Sequence, residues 1–306
     1  MKENEQNTKL IGALAVALSA VLWGVDGILL TPQLYNLNTA FVVFVIHLCP
    51  FLLMNVFLFR EYRHLNTMTR SDLIYFILIA LFGGALGTLA IVKSLFLLHF
   101  NNLSVVVLLQ KLQPVFAVIL ARIILKEQIK KHFALWACVA LIGGYFLTFG
   151  WALPDFSTEG ITTVYAALLS LLAAFSFGSS TVFSKKILGN YSFITSTFFR
   201  YGFTTLIMLI IVLFTGHIGD FSQVTPRNWL FIALIGLTTG SGAIFLYYYG
   251  LRHVKASLST FLELMYPITA VVLDYFVNGT KYSPVQWVAA FVMIFAIVML
   301  NVDKSK

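Results

Sequence analysis

The sequence predicts an all-α integral membrane protein in which ten transmembrane helices form two inverted five-helix repeats. Three observations predict it. Hydrophobic residues make up 59% of the 306-residue chain and charged residues 10%, with a mean hydropathy of +0.90. A soluble domain carries roughly 25% charge and would have no surface on which to place so much apolar area. Polar, proline and charged punctuation divides the chain into ten apolar stretches, most of them near the ~20 residues a spanning helix needs. A shift of 153 positions then lays the second half on the first, placing Gly83 on Gly236, Gly87 on Gly240 and Pro114 on Pro267.

The expected spans are 10–30, 39–59, 72–98, 103–124, 132–150, 160–183, 192–214, 228–250, 254–277 and 284–302. Backbone groups in hydrocarbon must be satisfied internally, and these runs are apolar on all faces where barrel strands would alternate. Taken in order, the first span follows Lys2 and Lys9; it is long enough to be a retained helix rather than a signal peptide. Arg60, Arg63 and Arg70 separate the second from the third, and Arg122, Lys126, Lys130 and Lys131 separate the fourth from the fifth. Lys185 and Lys186 close the sixth, Arg227 precedes the eighth, and Arg252 and Lys255 divide the eighth from the ninth. Lys281 precedes the tenth, and Lys304 and Lys306 follow it. Fifteen of the twenty Lys and Arg therefore fall on the side of the termini, two fall opposite, and Lys93, Lys111 and Arg200 lie within spans. Such a bias marks the cytoplasmic side, so both termini are expected in the cytoplasm and the chain in a plasma membrane, the inner membrane of a bacterium. The expected organisation is an N-terminal tail (1–9), a first repeat (10–150), a second repeat (160–302) and a C-terminal tail (303–306).

The net charge of +8 follows from this bias and from anionic lipid headgroups. No aromatic-interleaved basic segment points to nucleic acid. Cys49 and Cys138 have neither metal nor redox spacing and are expected to be small buried residues. No cofactor or metal is expected.

An odd number of spans per repeat forces the second half to insert upside down. Inverted repeats are a signature of secondary transporters, with the substrate site near the midplane between them. Gly83-x-x-x-Gly87 and Gly236-x-x-x-Gly240 free one helix face for close backbone packing. Pro114 and Pro267 remove a donor and clash with the carbonyl four residues back, so kinks at Gln110 and Glu263 would offer backbone oxygens to a ligand or let the helix flex.

Charge inside a bilayer costs about 2.5–3.5 kcal/mol on insertion scales, and seven candidates carry it: Asp26, His47, Lys93, Lys111, Arg200, Glu263 and Asp274. Lys111 and Glu263 lie nearest their span centres, and Gln110 maps onto Glu263. The expectation is that both face one cavity, Lys111 meeting a substrate anion and Glu263 a substrate amine or a proton, with a structural ion pair between them as the alternative. Arg200 and His47 are repeat equivalents and are expected to pair structurally. Asp26, Lys93 and Asp274 lie nearer the outer surface, where a gate and an interface pair are both open readings. Trp23, Phe177, Tyr247, Tyr248 and Tyr249 could wall the cavity, with Trp23 and Tyr248 the two chosen.

The chain carries Leu22-Trp23-Gly24, a glycine-rich third span, Leu112-Gln113-Pro114-Val115-Phe116 leading to Lys126-Glu127, a second copy around Pro267, and Arg200-Tyr201. In these motifs and their order it resembles the EamA family of the drug/metabolite transporter superfamily. The resemblance covers residues 10–302 and implies a metabolite carrier, often an exporter, with a central cavity between the halves. His47 stands where the first repeat would carry its arginine, and Thr280 where the second would carry its glutamate.

The expected function is a secondary transporter, an exporter, moving a small polar metabolite such as an amino acid by alternating access. The expected site holds Lys111, Glu263, Gln110, Gln113, Trp23, Tyr248, Lys93 and Asp26, with Glu263, Pro114 and Pro267 coupling or gating. No G-x-x-x-x-G-K-[ST] loop occurs, which leaves a proton or substrate gradient as the drive. A membrane-embedded enzyme is the alternative, but the histidines are scattered over loops and neither H-E-x-x-H nor G-x-S-x-G is present. A scaffold would normally carry a soluble output domain, and the loops are short.

Overall fold

The computed structural model describes residues 2–98, 109–153, 161–277 and 279–301, whose regular structure is all helical with no strand among them. The first span is α1 (Lys2–Val25), prolonged by a π turn at Asp26–Leu30 and a 3-10 turn at Thr31–Leu34. The second is α2 (Thr39–Leu58). The third is α3 (Arg70–Ile79), a π segment Ala80–Leu86 and α4 (Gly87–Leu97). Then come α5 (Gln113–Ile124), α6 (Lys131–Phe149), α7 (Ile161–Ile187) and α8 (Phe193–Phe214). The eighth span repeats the third: α9 (Pro226–Leu234), a π segment Ile235–Gly240 and α10 (Ser241–His253). The ninth is α11 (Ala256–Leu262) and α12 (Met265–Val277), and the last is α13 (Pro284–Asn301).

Eight of these runs are long and apolar enough to cross a membrane, and α5 and α13 are shorter apolar helices standing where the fourth and tenth spans are expected. The expected start of the fourth span, Ser104 and the tail 303–306 lie outside the described residues. Large apolar side chains such as Leu14, Phe57, Ile123, Phe214 and Phe291 point outward, which lipid tolerates and water would not.

Local sequence fixes where the helices start. Asn38 accepts from the Ala40 and Phe41 amides at the head of α2, and Ser192 accepts from Thr195 at the head of α8. Capping boxes open α3 (Thr69 with Asp72) and α9 (Thr225 with Asn228), so equivalent helices of the two halves begin with the same device.

Packing exchanges the halves. Helix α1 packs on α10 and α12, and its counterpart α7 packs on α4 and α5; α2 pairs with α8, and α6 with α13. Glycines allow the closest approaches. A Cβ on Gly83 would strike the Ser180 side chain and sit 3.2 Å from Arg200, and one on Gly236 would meet Pro50 at 3.1 Å. At Gly87 the added Cβ would crowd both the Phe82 carbonyl five residues back and the Phe177 ring of α7 at 2.9 Å, and at Gly240 it would crowd the Ile235 carbonyl five residues back. Both glycines make room for the wide π turn, and Gly87 also admits α7.

Hydrogen bonds sort the helix ends onto two faces. Glu61–Thr195, Asp72–Tyr191, Glu127–Ser257 and Lys185–Leu251 tie the terminal face. Gln33–Arg227, Asn36–Asn228 and Gln286–Leu147 tie the opposite face. On the terminal face, Tyr191 lies at a helix junction, where burial first and the Asp72 carboxylate second push its hydroxyl up to about 12. The cysteines differ from expectation. Cys49 is half-buried and Cys138 exposed, because α6 turns Ala137, Ala140 and Gly143 inward and a neighbour one position on is rotated by about 100°.

Candidate functional site

The fourth and ninth spans are both broken, at equivalent places. Hydrogen bonding tightens to three-residue closure there: Leu112 N–H to Leu109 O, Val115 N–H to Leu112 O, Leu264 N–H to Phe261 O and Tyr266 N–H to Glu263 O. Helix resumes at Gln113 and Met265, so Pro114 is the second residue of α5 and Pro267 the third of α12. Neither proline kinks a continuous helix; each opens a new one, where its missing N–H costs least. The break itself falls at Lys111–Leu112 and Glu263–Leu264. Discontinuous helices of this kind build the binding sites of transporters with inverted repeats.

Glu263 sits on the second break and gathers residues from three other spans. Its Oε1 accepts from Tyr247 Oη at 2.7 Å and from Ser259 Oγ at 3.5 Å, and its Oε2 accepts from Gln113 Nε2 at 2.6 Å. Tyr247 Oη is 2.8 Å from Thr181 Oγ1, and Ser259 Oγ donates to it at 3.3 Å. Gln113 belongs to the first half and the other members to the second, so the cluster bridges the repeats. All its donors are neutral. A carboxylate can stay in such a place only if its oxygens are well hydrogen-bonded, and Glu263 keeps part of its surface uncovered although protein surrounds it.

Trp23 joins the cluster from the first span, its ring 5.3 Å from that of Tyr247. One turn further along, Asp26 accepts from Thr31 at 3.0 Å and from Thr239 at 3.1 Å. Thr239 belongs to the π segment of the eighth span, so two π turns meet at Asp26. Gly27 lies against Tyr266, and a Cβ there would come 3.2 Å from the phenol oxygen. Trp23, Asp26, Gln113, Glu263 and Tyr266 are all half-buried. They form an aromatic wall with one carboxylate at each end.

The remaining expected residues lie elsewhere. Lys111 is buried and turned away: its Nζ donates to Gly144 O at 2.5 Å and to Thr148 Oγ1, both on α6 of its own half. No ion pair links it to Glu263 among the described residues. Gln110 is half-buried just before the break. Tyr248 is wholly buried, shares a 2.7 Å hydrogen bond with Ser184 and accepts from Arg200 Nη1 at 3.1 Å. Arg200 also donates to Gly83 O at 2.9 Å, while its Nε has no partner among the described residues. His47 Nδ1 lies 2.8 Å from Val43 O, with the ring beside Tyr201. Asp274 accepts from Tyr282 at 2.7 Å, and Lys93 is exposed near the opposite face.

Sequence reasoning did not single out Thr181 and Ser259, nor choose Tyr247 over Tyr248. The signal was present as hydroxyl runs inside apolar spans, Ser179-Ser180-Thr181 and Ser257-Leu258-Ser259-Thr260.

Comparison with known proteins adds a family. The EamA-like transporter family model matches residues 10–149 and 164–302. The chain is 51% identical over 291 residues to the riboflavin transporter ImpX of Fusobacterium nucleatum, covering 95% of this chain and 97% of that one. It is 26% identical over 196 residues to the uncharacterized transporter YwfM of Bacillus subtilis, covering 63% and 62%. A solved crystal structure, sharing 16% identity, superposes with a TM-score of 0.66 over 96% of both chains; that likeness concerns the fold alone.

Proposed function

Since the chain belongs to the EamA-like transporter family, we propose that it carries riboflavin across the membrane by alternating access. It is a multi-pass membrane transporter of a small molecule and not an enzyme. The observation that carries the riboflavin reading is the near full-length 51% identity to a riboflavin transporter. The chemistry of the Glu263 cluster and its aromatic wall supports it. Riboflavin is neutral, and its flat ring system suits stacking beside the half-buried Trp23 and Tyr266. Its imide N–H and ribityl hydroxyls suit acceptors such as Glu263 and Asp26. An amino acid would also need a cation for its carboxylate, and Lys111 is committed to Gly144 and Thr148.

In this reading the carrier alternates by rearranging the Gln113–Glu263–Tyr247 bridge between halves, and Glu263 is where a proton would couple. The termini are placed in the cytoplasm, supported by the fifteen-to-two charge split.

A thermal-shift series on the purified chain tests the substrate. Riboflavin should raise the unfolding midpoint, as any ligand selective for the folded state does, while amino acids and nucleosides should not. A shift with an amino acid and none with riboflavin would overturn the assignment. Coupling is tested separately, by riboflavin flux into proteoliposomes against external pH. Glu263→Gln should flatten that dependence, and an unchanged profile would remove Glu263 from the coupling step.

A further inference from the structure

A cavity of about 300 Å³ lies at the opposite face between α2, α4, α7 and the end of α8. It shares only α7 with the Glu263 cluster, and its deepest α7 residue, Leu172, is nine residues from Thr181, about 13 Å along the helix. The mouth is polar and the depth apolar. Asn38, Thr39, Thr215, His217 and Lys93 line the mouth, and Leu86, Leu89, Leu169 and Leu172 line the depth.

Two features favour an anion at the mouth. Lys93 is exposed there and makes no hydrogen bond or ion pair with a described residue. Thr39, 8% exposed, lines the cavity with a hydroxyl that makes no hydrogen bond with a described residue. His217 Nε2 lies 3.1 Å from Asn38 Nδ2 and accepts from it, so the ring adds a wall and no charge. The acid beside this cavity is Asp220, whose Oδ2 is 3.0 Å from His217 Nδ1 and whose Oδ1 accepts from Gln223; it does not line the cavity. Beyond the mouth, Leu86 lies seven residues from Lys93 along the span, about 10 Å deeper. Next to it, α7 turns Tyr165 and Leu168 outward, 55% and 58% exposed, so the apolar slot continues into the lipid-facing surface.

We propose that this cavity binds an anionic phospholipid, its phosphate held by Lys93 and the Thr39 hydroxyl and its chain lying along Leu86, Leu89 and Leu169. A free phosphate would use the mouth and leave the leucine slot empty. A zwitterionic lipid would fill the slot and leave Lys93 without a net counter-charge.

The test uses the full chain purified in a neutral detergent, with unfolding midpoints read against added phosphatidylglycerol, phosphatidylcholine or inorganic phosphate. Phosphatidylglycerol alone should raise the midpoint. Lys93→Gln should weaken its apparent affinity roughly tenfold, the loss expected for one charge-assisted contact, and Lys93→Arg should retain it. Leu169→Trp, which fills the slot and keeps the cation, should weaken it as well. Equal shifts with both lipids, an undiminished shift in Lys93→Gln, or a shift reproduced by inorganic phosphate would each overturn the assignment.

Discussion

The turn after the fourth span and the turn after the ninth are the same turn with different side chains. Lys126 and Gly279 are 153 positions apart, and both have positive φ, 55° and 68°. The amide that follows each closes on the carbonyl six residues back, Glu127 to Ala121 at 3.2 Å and Thr280 to Asp274 at 3.4 Å. On the terminal face the next side chain is a carboxylate that crosses to the other half. Glu127 accepts from the Ala256 amide at 2.8 Å, the Ser257 amide at 3.2 Å and Ser257 Oγ at 2.5 Å, capping α11. Lys185 closes the same corner by donating to the Leu251 and Arg252 carbonyls. On the opposite face the equivalent side chain is the hydroxyl of Thr280. The backbone of a repeat can thus be kept on both faces while only one of them carries an acidic cross-half cap.

Four substitutions sharpen or break that comparison, from the largest effect to the smallest. Glu127→Ala removes three hydrogen bonds to an ionised group and an N-cap, and should cost about 2 kcal/mol in detergent unfolding; a loss within experimental error would mean that the cap is ornamental. Gly279→Ala puts a Cβ on a left-handed residue and should cost about 1 kcal/mol. Lys126→Gly relieves the same strain on the terminal face and should stabilise the folded protein by about 0.5 kcal/mol, the gain being reduced by the freer unfolded chain. Thr280→Ala should stay within about 0.5 kcal/mol, measured in the same unfolding series. If Thr280→Ala matched Glu127→Ala, the two corners would be equivalent after all.

Much of the fold was legible. Span positions, the repeat offset and the charge bias all derive from hydrophobicity summed over about twenty residues, a signal too long to be masked by one side chain. Placement around the helix axis was less legible. Gln110 is the repeat mate of Glu263, and Lys111, one residue further, is turned by about 100°; that rotation sends its Nζ to Gly144 and Thr148 instead of toward Glu263. Tyr247 and Tyr248 present the same difficulty, one reaching Glu263 and the other Arg200 and Ser184. Both prolines were visible as interruptions, but they begin new helices and leave the breaks to the residues just before them. The π segments had no signal beyond their glycines, because hydropathy is blind to which carbonyl an amide chooses.

Those π segments have a consequence for how the chain can vary in length. Each holds its residues in a five-residue hydrogen-bond loop, as from Gly87 N–H to Phe82 O, so it stores one residue more than an α-helix of equal rise. Deleting a single residue between 80 and 86 would let the third span close as a continuous α-helix without breaking it. Everything beyond would then keep its facing, because the wide turn spends its extra residue without adding to the rotation of the helix. Ser94, whose hydroxyl donates to Ala166 O at 2.8 Å, would keep its partner, and Lys93 would stay at its cavity. The stored residue is therefore slack in chain length, and the third span can lose it without changing the face of α4 that the other half meets.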